Sequence, residues 1–303
     1  MNEHVLEYNS GQIIASLKNN KRVLVDDVSF RIRAGETLSI VGETGSGKTM
    51  TALSIMKLLP ANVEMLGGSI VFMGRELPNE KKMPDILGNE IVYIPQNGLE
   101  ALNPSRRIDK HLYDNLEKIG VPKPEREKTA KDKLSAVGFA HPEQVMDKYP
   151  FQLSGGMAQR VTIAISACSN AHLVIADEPT NGLDQSSKSL FMATLRSLFP
   201  MAAKLIITHD ISIAEMCDQS LVLCGGRMME RGFSSQVLGN PHHPYTKALL
   251  SSLVKNGLHE SPFLRNEKGF CMFYRRCPFA TESCLTAMEH RTEDESDWWC
   301  NNE

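Results

Sequence analysis

The chain has 303 residues, of which 42% are hydrophobic, enough for one large domain with an appendage or for two modest domains with a sizeable core. Its formal net charge is −3, with acidic and basic residues interspersed, so the electrostatic footprint of a nucleic-acid binder is missing and no nucleic acid is expected as a partner. Seven cysteines point to metal ligation or buried thiols ahead of disulfides if the chain is cytosolic.

Met1-Asn2-Glu3-His4 carries no basic region ahead of an apolar segment, so a signal peptide is not expected and the cytosol is the default. From Val23 to Val41 apolar and polar positions alternate, as in strands joined by an Ala34-Gly35 turn. The last strand, Thr37-Leu38-Ser39-Ile40-Val41, delivers the chain to Gly42-Glu43-Thr44-Gly45-Ser46-Gly47-Lys48-Thr49, the phosphate-cradling pattern GxxxxGK[ST]. Glycines let such a turn wrap so that backbone N–H groups and a helix N-terminus face phosphate oxygens. Lys48 is then expected at the β/γ-phosphates and the Thr49 hydroxyl on Mg²⁺. A helix is predicted from Lys48 through Leu59, stopped by Pro60.

Further strands are expected at Ser69-Ile70-Val71-Phe72 and Ile91-Val92-Tyr93-Ile94. Residues 109–119, 125–137 and 157–168 read as helices linked by segments bearing Pro122, Pro124, Pro142 and Pro150. The longest apolar window, 161–176, is broken by Thr162, Ser166, Ser169, Asn170 and His172 and falls short of a membrane span. Within this region Ser154 is a helix cap in Leu153-Ser154-Gly155-Gly156-Met157-Ala158-Gln159-Arg160, whose two glycines and exposed N–H groups form a second anion-facing surface. Parallel-type strands follow at Leu173-Val174-Ile175-Ala176, Lys204-Leu205-Ile206-Ile207 and Gln219-Ser220-Leu221-Val222-Leu223. The first of them ends in Asp177-Glu178, at the strand edge where α/β sheets place ligands. Asp177 is read as a Mg²⁺-shell acid and Glu178 as the acid that polarises a water against the γ-phosphate. After Asn240 come Pro241-His242-His243-Pro244-Tyr245-Thr246, with the histidines read as loop residues, and a short apolar helix to Leu253. Cys168, Cys217 and Cys224 sit in apolar patterns and read as buried small hydrophobes. The final stretch holds four cysteines and both tryptophans in a segment too small for a conventional core, which argues for a staple.

Residues 42–49, Gln96, 153–160, Asp177-Glu178, Gly182-Leu183-Asp184 and His209 stand in the order of ATP-binding cassette (ABC) ATPases, and from about 20 to 240 the chain resembles that family. The resemblance implies an α/β P-loop NTPase cassette: a RecA-like α/β core with an antiparallel β subdomain and an inserted helical subdomain (about 97–168), then a small C-terminal Cys-rich extension. The nucleotide-binding domain is expected over 1–240 and the extension over 241–303. In that family two cassettes pair head to tail, so ATP lies between the Lys48 loop of one and the Ser154, Gly155, Gly156 and Gln159 segment of the other. By the same resemblance Gln96 contacts Mg²⁺ and the attacking water and senses the membrane partner. Asp184 crosses the dimer interface, and His209 holds the γ-phosphate. Many cassettes stack adenine on an aromatic ahead of the first strands, yet no Phe, Tyr or Trp lies between Tyr8 and Phe30. Lys18, Lys21 or Arg22 there offers a planar or cationic contact in its place, or else these are solvated surface charges, the reading preferred.

Ala101-Leu102-Asn103-Pro104, His243-Pro244-Tyr245-Thr246-Lys247-Ala248-Leu249-Leu250 and Cys271-x5-Cys277-Pro278-x5-Cys284 resemble the dipeptide/oligopeptide/nickel importer ATPases. This implies an ATP-hydrolysing motor subunit at the cytoplasmic face of the inner membrane. Its expected partners are a second, related but different cassette chain and two membrane permeases, with an extracytoplasmic substrate-binding protein reached indirectly. Di- or oligopeptides, nickel or other metal chelates and glutathione are all open as cargo; a soluble ABC ATPase or a redox sensor is the rival class. Cys271, Cys277, Cys284 and Cys300 would, by this resemblance, ligate a [4Fe–4S] cluster. Four thiolates suit iron–sulfur or zinc, and structural zinc prefers tighter CxxC pairs. Trp298-Trp299 beside Cys300 is read as a shield against water.

Overall fold

A computed structural model describes residues 4–9, 11–17, 20–78, 83–252, 270–293 and 295–301. The strands among them are β1 (His4–Asn9), β2 (Gln12–Leu17), β3 (Asn20–Val25), β4 (Phe30–Arg33), β5 (Thr37–Val41), β6 (Val63–Leu66), β7 (Ser69–Phe72), β8 (Arg75–Glu76), β9 (Ile91–Ile94), β10 (Leu173–Asp177), β11 (Ala203–Thr208), β12 (Gln219–Cys224), β13 (Arg227–Phe233), β14 (His290–Glu293) and β15 (Ser296–Trp299). The helices are α1 (Lys48–Ile55), α2 (Met83–Ile86), α3 (Ile108–Lys118), α4 (Lys123–Ala136), α5 (Pro142–Met146), α6 (Gly155–Ser166), α7 (Gln185–Leu198), α8 (Ile211–Ala214), α9 (Ser234–Gly239) and α10 (Pro244–Ser251). The chain divides into two units, one of Met1–Leu6, Ile32–Glu36 and Phe72–Ile206, the other of Glu7–Arg31, Thr37–Val71 and Ile207–Glu303.

In the first unit β9 and β10 run parallel, with Leu173 opposite Ile91 and Ala176 opposite Ile94. β10 is buried along its whole length, which explains why it reads as an unbroken apolar run and not as an alternation. Helices α3, α4, α5 and α6 pack on one another, burying Ile108, Leu112, Leu116, Ala130, Leu134 and Val161. Proline and glycine set their limits. Pro122 precedes α4 with Pro124 in its first turn, and Gly120 and Gly138 take left-handed φ of 81° and 89° after α3 and α4.

In the second unit the strand order is β14-β15-β13-β12-β5. β5 and β12 are parallel, with Val222 opposite Val41, while β12 and β13 form an antiparallel hairpin across Gly225-Gly226. A separate antiparallel sheet, β3-β2-β6, lies in the same unit. Helix α1 ends at Ile55, short of the predicted Leu59. Lys57 takes a left-handed φ of 55°, Leu58 N–H donates to Leu53 O at 2.9 Å, and Lys57 N–H donates to Ser54 O at 3.2 Å. That pair of bonds is a Schellman stop, formed here with lysine in the place glycine usually takes. The apolar helix predicted to Leu253 is α10, ending at Ser251; Leu253 lies outside the described residues.

Candidate nucleotide-binding site

The phosphate-loop pattern lies between the fully buried β5 and α1. Gly42 has a φ of 158°, and a Cβ built on it would lie 2.1 Å from Leu223 O and 2.8 Å from Ser46 Oγ. Only glycine passes β12 this closely. Gly47, at φ 101° where α1 begins, would meet Val25 Cγ2 at 2.8 Å and Leu24 O at 2.9 Å with the same addition. Lys48 is buried and folds back, donating to Gly42 O at 2.7 Å and Glu43 O at 3.0 Å, so the cation sits inside the curl of the loop. Ser46 Oγ is buried with no hydrogen-bond partner among the described residues. No side chain caps α1 and no acid occupies its first turn, which leaves a helix N-terminus and an enclosed lysine to receive an anion. Thr44, Gly45 and Thr49 are exposed. In the same unit His209 is exposed immediately beyond the end of β11.

Within the first unit the acid end of β10 and Gln96 come together. Parallel register carries the chain after β9 alongside Asp177, and Tyr93, Gln96, Glu100 and Asp177 line one open pocket. Tyr93 donates its hydroxyl to Asp177 Oδ2 at 3.3 Å; burial, then the neighbouring Asp177, push the phenol's pKa up. Glu178 adopts a φ of 46°, a left-handed conformation that costs a residue with a Cβ on the order of 1–2 kcal/mol. Ser154 caps α6, accepting from Met157 N–H at 3.3 Å, and Gly155 and Gly156 lie exposed with open space where a Cβ would point. Gly98, two residues past Gln96, is pressed against α6, where an added Cβ would lie 2.8 Å from Gln159 N. Asp184 caps α7, accepting from Ser187 N–H at 2.8 Å and Ser186 Oγ at 2.7 Å, and these bonds hold its carboxyl below the usual range.

Four thiols gather at the C-terminal end. Cys271, Cys277, Cys284 and Cys300 line a single pocket with Tyr274 and Met288, and all four are unbridged. Cys271 N–H donates to Cys284 O at 3.0 Å, and burial pushes the Cys271 thiol up to about 12. Among the described residues no group of three or more His, Cys, Asp or Glu is arranged to hold a metal ion. Cys168, Cys217 and Cys224 are buried, as apolar patterning indicates. The histidines read as loop residues are structural. His243 is buried at the start of α10, where its Nδ1 accepts from Tyr245 N–H at 2.9 Å, and His242 stacks on Trp298 with ring centroids 4.1 Å apart. Both backbone N–H groups of this pair donate to the buried Glu230 carboxylate, at 2.8 and 3.0 Å. Trp299 stacks on His290.

Sequence reasoning missed Tyr93, Tyr245 and Arg276. Tyr245 Oη accepts from Glu43 N–H in the phosphate loop at 3.2 Å, and Arg276 forms a two-pronged ion pair with the Glu43 carboxylate at 2.7 and 3.0 Å. No local pattern announces contacts between residues 202 and 233 positions apart.

Residues 25–181 match the ABC transporter family, and residues 229–284 match the oligopeptide/dipeptide transporter C-terminal region. An oligopeptide transport ATP-binding protein of Salmonella typhimurium is 36% identical over 93% of this chain and 89% of its own length. Its Escherichia coli counterpart is 38% identical over 87% of this chain and 82% of its own length. A dipeptide transport ATP-binding protein of Caldanaerobacter subterraneus is 34% identical over 86% of this chain and 84% of its own length. Among solved structures, a dimeric bacterial ABC transporter cassette superposes with a TM-score of 0.67 at 23% identity, covering 76% of this chain and 98% of that one. The fold is thus the P-loop ABC cassette, a mixed α/β structure with antiparallel sheets and helical parts. By sequence and fold together, the chain belongs to the ABC transporter family of ATP-hydrolysing cassettes, within the group that carries the oligopeptide/dipeptide transporter C-terminal region.

Proposed function

We infer that this chain is the ATP-binding and ATP-hydrolysing motor subunit of an importer for di- or oligopeptides, acting through partner permeases at the cytoplasmic face of the inner membrane. The observation that carries the reading is the oligopeptide/dipeptide-type C-terminal region following an ABC cassette in one chain. Among the described residues no helix is long and apolar enough to cross a membrane, so a role in transport calls for membrane partners. Those partners are two permeases and a second, related cassette chain, with an extracytoplasmic substrate-binding protein engaged indirectly.

In this reading residues 1–240 form the cassette and 241–303 the extension. The loop N–H groups and Lys48 bind the triphosphate; the enclosed lysine and the buried Ser46 Oγ, unpartnered among the described residues, support this. Thr49, Gln96 and Asp177 would hold Mg²⁺, which offers charge neutralisation to the phosphates, and the joint pocket of Gln96 and Asp177 supports that pair. Glu178 accepts a proton from the attacking water and His209 contacts the γ-phosphate. Ser154, Gly155, Gly156 and Gln159 of each cassette close over the nucleotide of the other, and Asp184 lies at that interface. ATP favours the closed pair because it touches both halves, and cleavage removes the differential affinity.

The four thiols would hold a [4Fe–4S] cluster. Their convergence on one pocket supports this reading, and structural zinc prefers tighter CxxC pairs than these spacings provide. Such a group ties the segments that bear its ligands.

The test is Glu178→Gln in the purified transporter. Turnover should fall by roughly 10²–10⁴-fold with ATP affinity retained, and full hydrolysis by the variant removes Glu178 from the chemistry. Uptake of a labelled tripeptide by cells lacking the chain should stop; unimpaired uptake refutes the cargo assignment.

A further inference from the structure

The Cys271-to-Cys277 segment makes an unusually direct contact with the phosphate loop. Its one-turn 3₁₀ helix, Tyr274–Arg276, is bracketed by two of the thiols, with Tyr274 N–H donating to Cys271 O at 3.1 Å and Cys277 N–H to Tyr274 O at 3.3 Å. Arg276 projects from that turn with a side chain only 6% exposed. Its guanidinium lies over the rings of Phe273 and Tyr245, 5.0 and 5.8 Å from their centroids. Both prongs meet the Glu43 carboxylate, and one also reaches Cys224 Sγ at 3.8 Å. A second tether runs in parallel. Met272 presses on the hairpin at Gly225, where an added Cβ would lie 2.8 Å from its Cε, and the adjoining Gly226 N–H donates to Ser46 O at 2.9 Å.

Glu43 is thereby held at both ends, its N–H by Tyr245 and its carboxylate by Arg276, while its carbonyl accepts from Lys48. A planar, buried, bidentate arginine fixes direction as well as distance, which a lysine at the same place does not do.

We propose that Arg276 is a positioning residue that ties the shape of the phosphate loop to the state of the four-thiol site, so that emptying that site weakens ATP binding through Glu43. The proposal rests on the reading of residues 42–49 as an ATP site and of the thiols as a cluster site. With the ligands tied, the turn between Cys271 and Cys277 holds Arg276 against Glu43. Once they are released, the turn is free to withdraw the guanidinium, and Lys48 loses the anchored carbonyl that orients it.

The experiment uses the full chain purified anaerobically, with iron and acid-labile sulfide assayed and Mg-ATP affinity measured by calorimetry before and after chelation. Arg276→Met should weaken ATP binding by about tenfold, in line with loss of one charge-assisted pair, at unchanged iron content. Arg276→Lys should recover part of that loss. Chelation should weaken the wild type by a similar factor and add little to Arg276→Met, because both act through one contact. Glu43→Gln, which leaves the arginine's aromatic packing in place, should behave as Arg276→Met does and covers the case in which that variant misfolds. Wild-type affinity in Arg276→Met, or losses from mutation and chelation that multiply, overturns the proposal. Absence of ATP binding in the wild type would instead refute the nucleotide site. Absence of iron would refute the cluster and, with it, the link to the thiols, while the arginine variants still decide whether Arg276 positions the loop.

Discussion

Replacing Gly42 by alanine tests the phosphate loop at its tightest point. The added methyl would start 2.1 Å from Leu223 O, where Cβ contacts under 3.0 Å are essentially never seen, so backbone must shift by about 0.9 Å. Leu223 has limited room to yield, because it is paired opposite Met228 of β13 and follows directly on Val222, which pairs with Val41 of β5. Overpacking of this kind costs about 1–3 kcal/mol, and holding an L-residue at Gly42's φ of 158° adds about 1–3 kcal/mol more. The expected loss is roughly 2–6 kcal/mol, a large part of the 5–15 kcal/mol that typically stabilises a folded protein. If the loop escapes the clash by lifting away from β12, the strain reappears as lost nucleotide affinity, since Lys48 is held by the carbonyl of residue 42 itself. Urea unfolding and ATP titration on the same samples read both outlets. Gly45→Ala is the control: its φ is 79° but nothing lies within 4 Å of the added methyl, so only the backbone term of about 1–2 kcal/mol applies. A Gly42→Ala variant that unfolds at the wild-type midpoint and binds ATP as the wild type does would refute the reasoning.

Ser154→Ala removes the acceptor for Met157 N–H and should cost about 1 kcal/mol in urea unfolding; an unchanged midpoint would mean the cap is not made in solution. Cys277→Ser should eliminate the brown colour and bound sulfide of anaerobically purified protein, and zinc in the wild type would show the cluster assignment to be wrong. Burial pushes Cys168 and Cys224 up to about 12, so at pH 8 iodoacetamide should leave both unmodified in the native chain and label them in denaturant. Alkylation of either at the denatured rate would contradict the burial.

What could be read from the sequence follows from how far apart the interacting residues lie. β5, β10 and β12 are almost wholly buried, so their apolar runs stand out; Gly42 follows β5 directly, while Asp177 is the last residue of β10 itself. α3, α4 and α6 were legible because proline and glycine punctuate them. α1 was drawn too long because its terminator is a left-handed lysine, which composition does not flag. β3 has four exposed positions in six, so only its apolar end from Val23 shows in the sequence while its polar start at Asn20 does not, and β14 is exposed or half-exposed throughout. His242 and His243 were read as loop because their anchor, Glu230, sits on a strand whose charged residues, Glu230 and Arg231, find partners only in the folded state. Four cysteines in a short tail announced a shared site, but nothing local announced that the arginine beside one of them would grip the phosphate loop.

Each unit holds its candidate site residues by a second structural element. In the first unit Gln96 and Asp177 line one pocket, and Gly98, two residues past Gln96, is packed against the backbone of α6. In the second, Val41 at the base of the loop shares one apolar cluster with Val222, Cys224, Tyr245, Cys271, Phe273 and Cys284. Cys271, Phe273 and Cys284 therefore help complete the apolar core to which Val41 belongs. Dense interiors transmit strain with little give, so this cluster gives the base of the phosphate loop a rigid backing.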